Sequence, residues 1–197
     1  NLIKNTTAAG GSIGLGGLAL EACSGFSDRR ITVLHTNDVH SHIDPFPASH
    51  ARFPNMGGVS RRAALIASIR KENPNTLLLD AGDIFQGTPY FNFYGGELEF
   101  RLMSQMGYDA ATLGNHDFDN GLSGLLAQLP HAGFSFVSAN YDFANTELEG
   151  YFKPYIILER GGVRIGIFGL GIRLEGLVDP ALYGETRSLG PVEITQD

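Results

Sequence analysis

Ala110-Ala111-Thr112-Leu113-Gly114-Asn115-His116-Asp117-Phe118-Asp119-Asn120-Gly121 is the stretch on which the fold turns. A short apolar run, expected as a strand, gives way at Gly114 to a cluster of Asn, His and Asp. Gly at a strand exit lets the backbone approach a ligand closely. Alone, the cluster reads either as a helix start with a solvated imidazole or as a His oriented by the Asp119 carboxylate three residues on. The same arrangement occurs twice upstream. Ile31-Thr32-Val33-Leu34 runs into His35-Thr36-Asn37-Asp38-Val39-His40, and Thr76-Leu77-Leu78-Leu79 into Asp80-Ala81-Gly82-Asp83. Each alone is also compatible with Asn/Asp turn chemistry or a helix cap. Three in succession point elsewhere, because open α/β sheets bind ligands beyond the carboxyl ends of their strands. Asp38, His40, Asp83, Asn115 and His116 are therefore expected to meet at one sheet edge. Carboxylate, imidazole and amide oxygen together suit hard or borderline divalent cations. With one Cys in the chain, the composition argues against a thiolate zinc site.

The intervening segments fit an α/β fold. Val59 to Asn73 carries apolar residues at Val59, Ala63, Ile66 and Ile69, a helical spacing that Pro74 ends. Gly96 to Met106 and Leu122 to Leu129 read as further helices, and Phe134 to Ala139 as a fourth strand. Gly161-Gly162 between Tyr155–Leu158 and Val163–Phe168 signals a hairpin. The chain has 197 residues, of which 26 are Gly, about twice the ordinary ~7%. A net charge of −7 argues against a nucleic-acid polymer as partner, which needs a basic surface. One Cys rules out a disulfide scaffold, and a 43% hydrophobic content argues against disorder. No stretch reaches the roughly 20 apolar residues of a membrane span.

Residues 1–28 differ in character. Ile13 to Leu20 is small, apolar and uncharged, like the hydrophobic part of a secretory signal. Leu20-Glu21-Ala22-Cys23 partly fits a lipoprotein cleavage site, with Glu21 out of pattern. An exported protein, periplasmic or on the cell surface, is expected, with Cys23 as a candidate lipid anchor. The leader is set apart from a domain over residues 29–197.

His35 to His40 (H-T-N-D-V-H), Gly82 to Gly87 (G-D-x-x-Q-G) and Gly114 to Gly121 (G-N-H-D-F-D-N-G) together resemble the calcineurin-like metallophosphoesterases, within them most the 5′-nucleotidases. The resemblance covers roughly Ile31 to Gly171. It implies a four-layer αββα sandwich, present here in part, and two divalent metal ions such as Zn, Mn or Fe. Asp38 and His40 would bind the first ion, Asp83 would bridge both and Asn115 would bind the second. His116 would be the catalytic His beside the phosphate, hydrogen-bonded by Asp119. The implied reaction is in-line attack of a metal-bridged water on a phosphate ester, most simply a 5′-nucleotide. The physics agrees: paired cations neutralise an anionic ester and acidify a bound water, and an imidazolium at His116 can either stabilise the equatorial phosphate oxygens or protonate the leaving oxygen. The family also has further His ligands and a nucleoside-binding domain downstream. Past His131 this sequence holds no His, so a partial catalytic domain is expected.

Other residues carry weaker signals. His35 at a strand end reads as a neighbour of the metal ligands or a core His. His42 and His50 read as loop residues, and His131 as a helix end, where partial positive charge is favourable. Tyr90-Phe91-Asn92-Phe93-Tyr94 reads as core or interdomain packing, or else as a substrate wall. Two alternatives stand beside the nucleotidase reading: a cyclic-nucleotide or nucleotide-sugar hydrolase, and a non-catalytic metal-binding fragment.

Overall fold

The computed structural model describes residues 30–190 and 194. The leader segment and Cys23 lie outside the described residues. Four strands, β1 (Thr32–Thr36), β2 (Thr76–Asp80), β3 (Ala110–Ala111) and β4 (Ser135–Phe136), form one parallel sheet in sequence order. Its register pairs Leu34 with Leu78 and Leu79 with Ala110. In β2 the run Thr76-Leu77-Leu78 is buried, as a central parallel strand requires.

The crossovers are α1 (Val59–Glu72), α2 (Pro89–Tyr94), α3 (Glu97–Met106) and α4 (Gly121–Gln128). Val59 and Ile66 of α1 and Phe100, Met103 and Met106 of α3 join Leu78, Ala111 and Phe136 in the core. The Arg70 guanidinium at the end of α1 donates to the carbonyls of Met106 and Gly107, which the end of α3 leaves without helical partners.

Beyond β4 the chain forms β5 (Tyr141–Asp142), β6 (Tyr155–Arg160), β7 (Val163–Phe168), α5 (Pro180–Tyr183) and β8 (Arg187–Ser188). β6 and β7 are the expected hairpin: Gly161 and Gly162 both have positive φ, as its two-residue turn requires. β5 pairs antiparallel with β8. Between β7 and the sheet face away from the helices lies a cavity of about 260 Å³, lined by His35, Leu79, Ala110 and Phe168 among others.

Two local readings change, and one gains detail. The third and fourth strands shorten to two residues each, although Thr112 and Val137 still donate to Asp80 and Ala111 across the sheet. The aromatic run is a helix, α2, started by Pro89 and stopped by left-handed Gly95. Within it Phe91 packs into the core, while Phe93 and Tyr94 are exposed and the Tyr90 hydroxyl donates to Asp44. His35 is neither core nor beside the ligands; it is exposed on the far face of β1.

Candidate metal centre

The three polar clusters leave the sheet side by side. The amides of Asp38, His40 and Ser41 donate to the carbonyls of Gly82, Asp83 and Ile84 at 3.0, 3.0 and 2.9 Å, so the loop after β1 continues the β1–β2 ladder. Along this path Asp38 (φ 51°), His40 (φ 47°) and Asp83 (φ 56°) adopt the left-handed conformation. Such backbone is uncommon outside Gly and persists where surrounding bonds enforce it. Here it turns three side chains the same way. Donor atoms of Asp38, His40 and Asp83 all lie within 4.8 Å of one another.

His40 is oriented by its own hydrogen bond. Its Nδ1 lies 3.2 Å from the Phe85 carbonyl, which assigns the ring proton to Nδ1 and leaves the Nε2 lone pair free. Nε2 is 3.8 Å from Asp38 Oδ1. His42 supports the same loop, its Nδ1 meeting the His40 carbonyl at 3.1 Å while its ring packs against Phe46. Two carboxylates beside an imidazole lone pair fit a divalent cation by chemistry and by spacing. Uncompensated, the carboxylates would repel one another.

The loops after β2 and β3 interlock. A Cβ on Gly82 would strike the backbone of Gly114, and one on Gly114 would strike the Asp83 carboxylate. Asp83 Oδ1 accepts the His116 amide at 2.9 Å. Asn115 lines, with Asp38 and Asp83, a cavity of about 240 Å³ whose far wall is Leu170, Gly171 and Ile172. That wall is fixed by Asn140, which is buried: its side chain exchanges two hydrogen bonds with the Gly171 backbone, at 2.8 and 2.7 Å.

The ring of His116 lies 5.1 Å from that of His40, centre to centre and edge to face. Its Nδ1 is 2.9 Å from Asp119 Oδ2. That hydrogen bond raises the imidazole pKa above its ordinary value by favouring the charged form. The structure therefore groups Asp38, His40 and Asp83, places Asn115 on the wall of the same cavity, and pairs His116 with Asp119. His35, His50 and His131 lie apart: His50 accepts the Phe53 amide, and His131, ending a single turn of 3₁₀ helix after α4, faces Glu97 at 3.8 Å.

Two acidic residues that no sequence pattern singles out are buried beside the site. Asp80, at the end of β2, accepts the Thr36 hydroxyl at 2.5 Å and the Gly82 amide at 2.9 Å; burial pushes its carboxyl up to about 6. Asp117 is fully buried and accepts four backbone amides. Burial pushes its carboxyl up to about 7, while the Gly114 and Phe85 amides pull toward the carboxylate.

Comparison with known proteins identifies relatives of the chain. Residues 31–187 match the calcineurin-like phosphoesterase family. A snake venom 5′-nucleotidase of Gloydius brevicauda is 42% identical over 146 residues, 71% of this chain and 25% of that protein. The 5′-nucleotidase precursor of Thermus thermophilus superposes with a TM-score of 0.75 at 39% identity, over 84% of this chain and 33% of that one. The NAD nucleotidase of Haemophilus influenzae superposes with a TM-score of 0.74 at 31% identity, over 84% of this chain and 30% of that one. The chain thus spans about a quarter of the length of the curated relative it matches. Over the span that it shares with them, the chain belongs to the calcineurin-like phosphoesterase family.

Proposed function

We propose that this chain carries the metal-binding half of a phosphohydrolase that cleaves 5′-nucleotides to nucleoside and phosphate. The observation that carries the proposal is the meeting of Asp38, His40 and Asp83 donor atoms within 4.8 Å, with the His116–Asp119 pair beside them. In this reading Asp38, His40 and Asp83 would hold one divalent ion, and Asp83 and Asn115 would offer oxygens to a second. Bound divalent ions supply neutralisation of the phosphate charge and a water acidic enough to ionise near neutral pH. His116, kept protonated at Nδ1 by Asp119, presents Nε2–H to the ester. As the new P–O bond forms and the bond to the 5′ oxygen breaks, that proton passes to the leaving oxygen. Asn115 adds an amide oxygen without adding charge, which limits repulsion of an anionic substrate.

Export belongs to the same proposal. Ile13 to Leu20 and Cys23 support a translocated chain with lipid at Cys23. None of the described helices is long and apolar enough to cross a membrane. Labelling with a radioactive fatty acid, lost in Cys23→Ser, would establish the anchor; equal labelling of both forms removes it.

The test of the reaction is chromatographic detection of hydrolysis products (adenosine and phosphate from AMP, AMP from cyclic AMP, UMP from UDP-glucose, AMP and nicotinamide mononucleotide from NAD) with the longest natural chain that contains this sequence, supplied with Mn²⁺ or Zn²⁺. AMP is expected to be preferred. His116→Ala should retain bound metal and lose roughly 10²–10⁴-fold in turnover, the usual contribution of a general acid or base. Unchanged turnover in that variant sinks the role of His116, and no hydrolysis product from any of the four substrates sinks the hydrolase reading.

A further inference from the structure

Asp117 has no part in the reaction described above, yet it is the centre of the loop architecture around the cavity. Its carboxylate is 0% exposed. Oδ1 accepts the amides of Ile84 and Phe85 at 2.9 and 3.2 Å. Oδ2 accepts the amides of Asp83 and Gly114 at 3.0 and 2.8 Å. Three donors therefore come from the loop after β2 and one from the loop after β3, which lie 32 to 34 and 3 positions away in sequence.

A charge so enclosed is tolerated where its oxygens are fully hydrogen-bonded, and backbone amides turned inward need acceptors of their own. Asp117 meets both demands at once. Its acceptance of the Asp83 amide also holds Asp83 in left-handed backbone, at φ 56°. Asp83 returns the contact, since its Oδ1 accepts the His116 amide at 2.9 Å. The two loops are thus stitched in both directions, with Asp83 at one end and Asn115 and His116 at the other.

We propose that Asp117 is a positioning residue, clamping the Asp83–Phe85 and Gly114 backbones together so that Asp83 and Asn115 present their oxygens to the same cavity before any cation arrives. The proposal rests on the reading of Asp38, His40 and Asp83 as ligands of a divalent cation. Carboxylates and carbonyls that orient metal ligands from behind typically carry 10–100-fold in metal affinity. Asp117→Asn is nearly isosteric and sets an NH₂ group against two of the four amides.

The experiment measures free Mn²⁺ by EPR during titration of the wild-type chain, of Asp117→Asn, and of Leu125→Ala. Leu125 is a fully buried residue of α4 and serves as a control for general destabilisation. Amide hydrogen exchange is followed in the same three proteins without metal. The expected result is a 10–100-fold weaker Mn²⁺ dissociation constant in Asp117→Asn and little change in Leu125→Ala. Faster exchange in Asp117→Asn is expected at Asp83, Ile84, Phe85 and Gly114. Mn²⁺ binding within twofold of wild type in Asp117→Asn, or equal weakening in Leu125→Ala, overturns the proposal. Should Asp117→Asn fail to fold, exchange in the metal-free wild type decides: protection of the four amides supports the clamp, and exchange as fast as in exposed loops overturns it. A wild-type chain that binds no Mn²⁺ refutes the cation reading instead, and the same four amides then decide the clamp.

Discussion

His116 and Asp119 illustrate what three residues of spacing can and cannot announce. The 2.9 Å bond between them is local, formed within one turn, and is legible from the sequence for that reason. It raises the His116 pKa, so the pair adds stability below the ordinary His value of about 6.5, and that contribution fades as pH rises through the higher folded-state value. Asp119→Asn should move the His116 titration, followed by NMR of the ring protons, to lower pH; an unchanged midpoint would show that Asp119 does not govern the imidazole. Asp117 is not legible in the same way. Four amide donors choose it, and three of them arrive from a loop more than thirty positions away. Asp80 is a second case. Thr36 on β1 and Gly82 after β2 donate to it, the Tyr108 hydroxyl meets Thr36 at 2.8 Å, and the charges of Arg62 and Asp38 act on it in opposite directions. Its folded pKa of about 6 lies above the ordinary carboxylate value, so the fold binds this proton more tightly than the unfolded chain does. Stability from Asp80 is then complete below about pH 4 and falls as pH rises to about 6, by up to roughly 3 kcal/mol. Asp80→Asn should flatten that part of the pH–stability curve in urea unfolding, and a slope equal to wild type between pH 4 and 6 counts against the assignment.

At the scale of elements, periodicity serves where elements are long. α1, α3 and the β6–β7 hairpin stand within a residue or two of their expected bounds, because helical spacing and a Gly-Gly turn leave strong marks. β3, β4, β5 and β8 are two residues each, too short to display a period of two. Their partners are set by packing, as where Tyr141 pairs with Ser188. α2 has readable ends, Pro89 and Gly95, although its six residues are too few for a helical stripe. The loops between elements hold the site, and Gly82 is one of their tight points. Its φ is +95°, and a side chain there meets the backbone of Gly114. Gly82→Ala is therefore expected to lower stability by roughly 1–3 kcal/mol from backbone strain alone, read from the urea midpoint. It should also weaken Mn²⁺ binding, because the clash pushes Asp83 and Asn115 apart. A variant as stable as wild type would mean that the two loops have room to separate.

Across the whole molecule, the side of the sheet that packs on helices is finished and the other is open. Val33, Tyr155, Ile157, Phe168 and Ile172 are half exposed or more, on β1, on the hairpin and just beyond it. The cavity lined by Leu170, Gly171 and Ile172 is likewise walled by protein on the side of the three loops. Among the described residues, the Asp38–His40–Asp83 group is the one set of three His, Cys, Asp or Glu side chains spaced for a metal. Asp38, His40 and Asp83 suffice for one ion and leave a second with little beyond the shared Asp83 and the amide oxygen of Asn115. The 197 residues taken alone should therefore bind at most one divalent ion per chain, and weakly. Because the ion binds the folded state and relieves repulsion between Asp38 and Asp83, it should still raise the melting temperature as its concentration rises. Hydrolysis of AMP by this chain alone should be negligible with Mn²⁺, Zn²⁺ or Mg²⁺. Elemental analysis after gel filtration, melting curves against metal concentration and a phosphate assay check the three statements. Two tightly held ions with rapid turnover would mean that His42, whose ring already braces the His40 loop, supplies a donor that a second ion would otherwise lack.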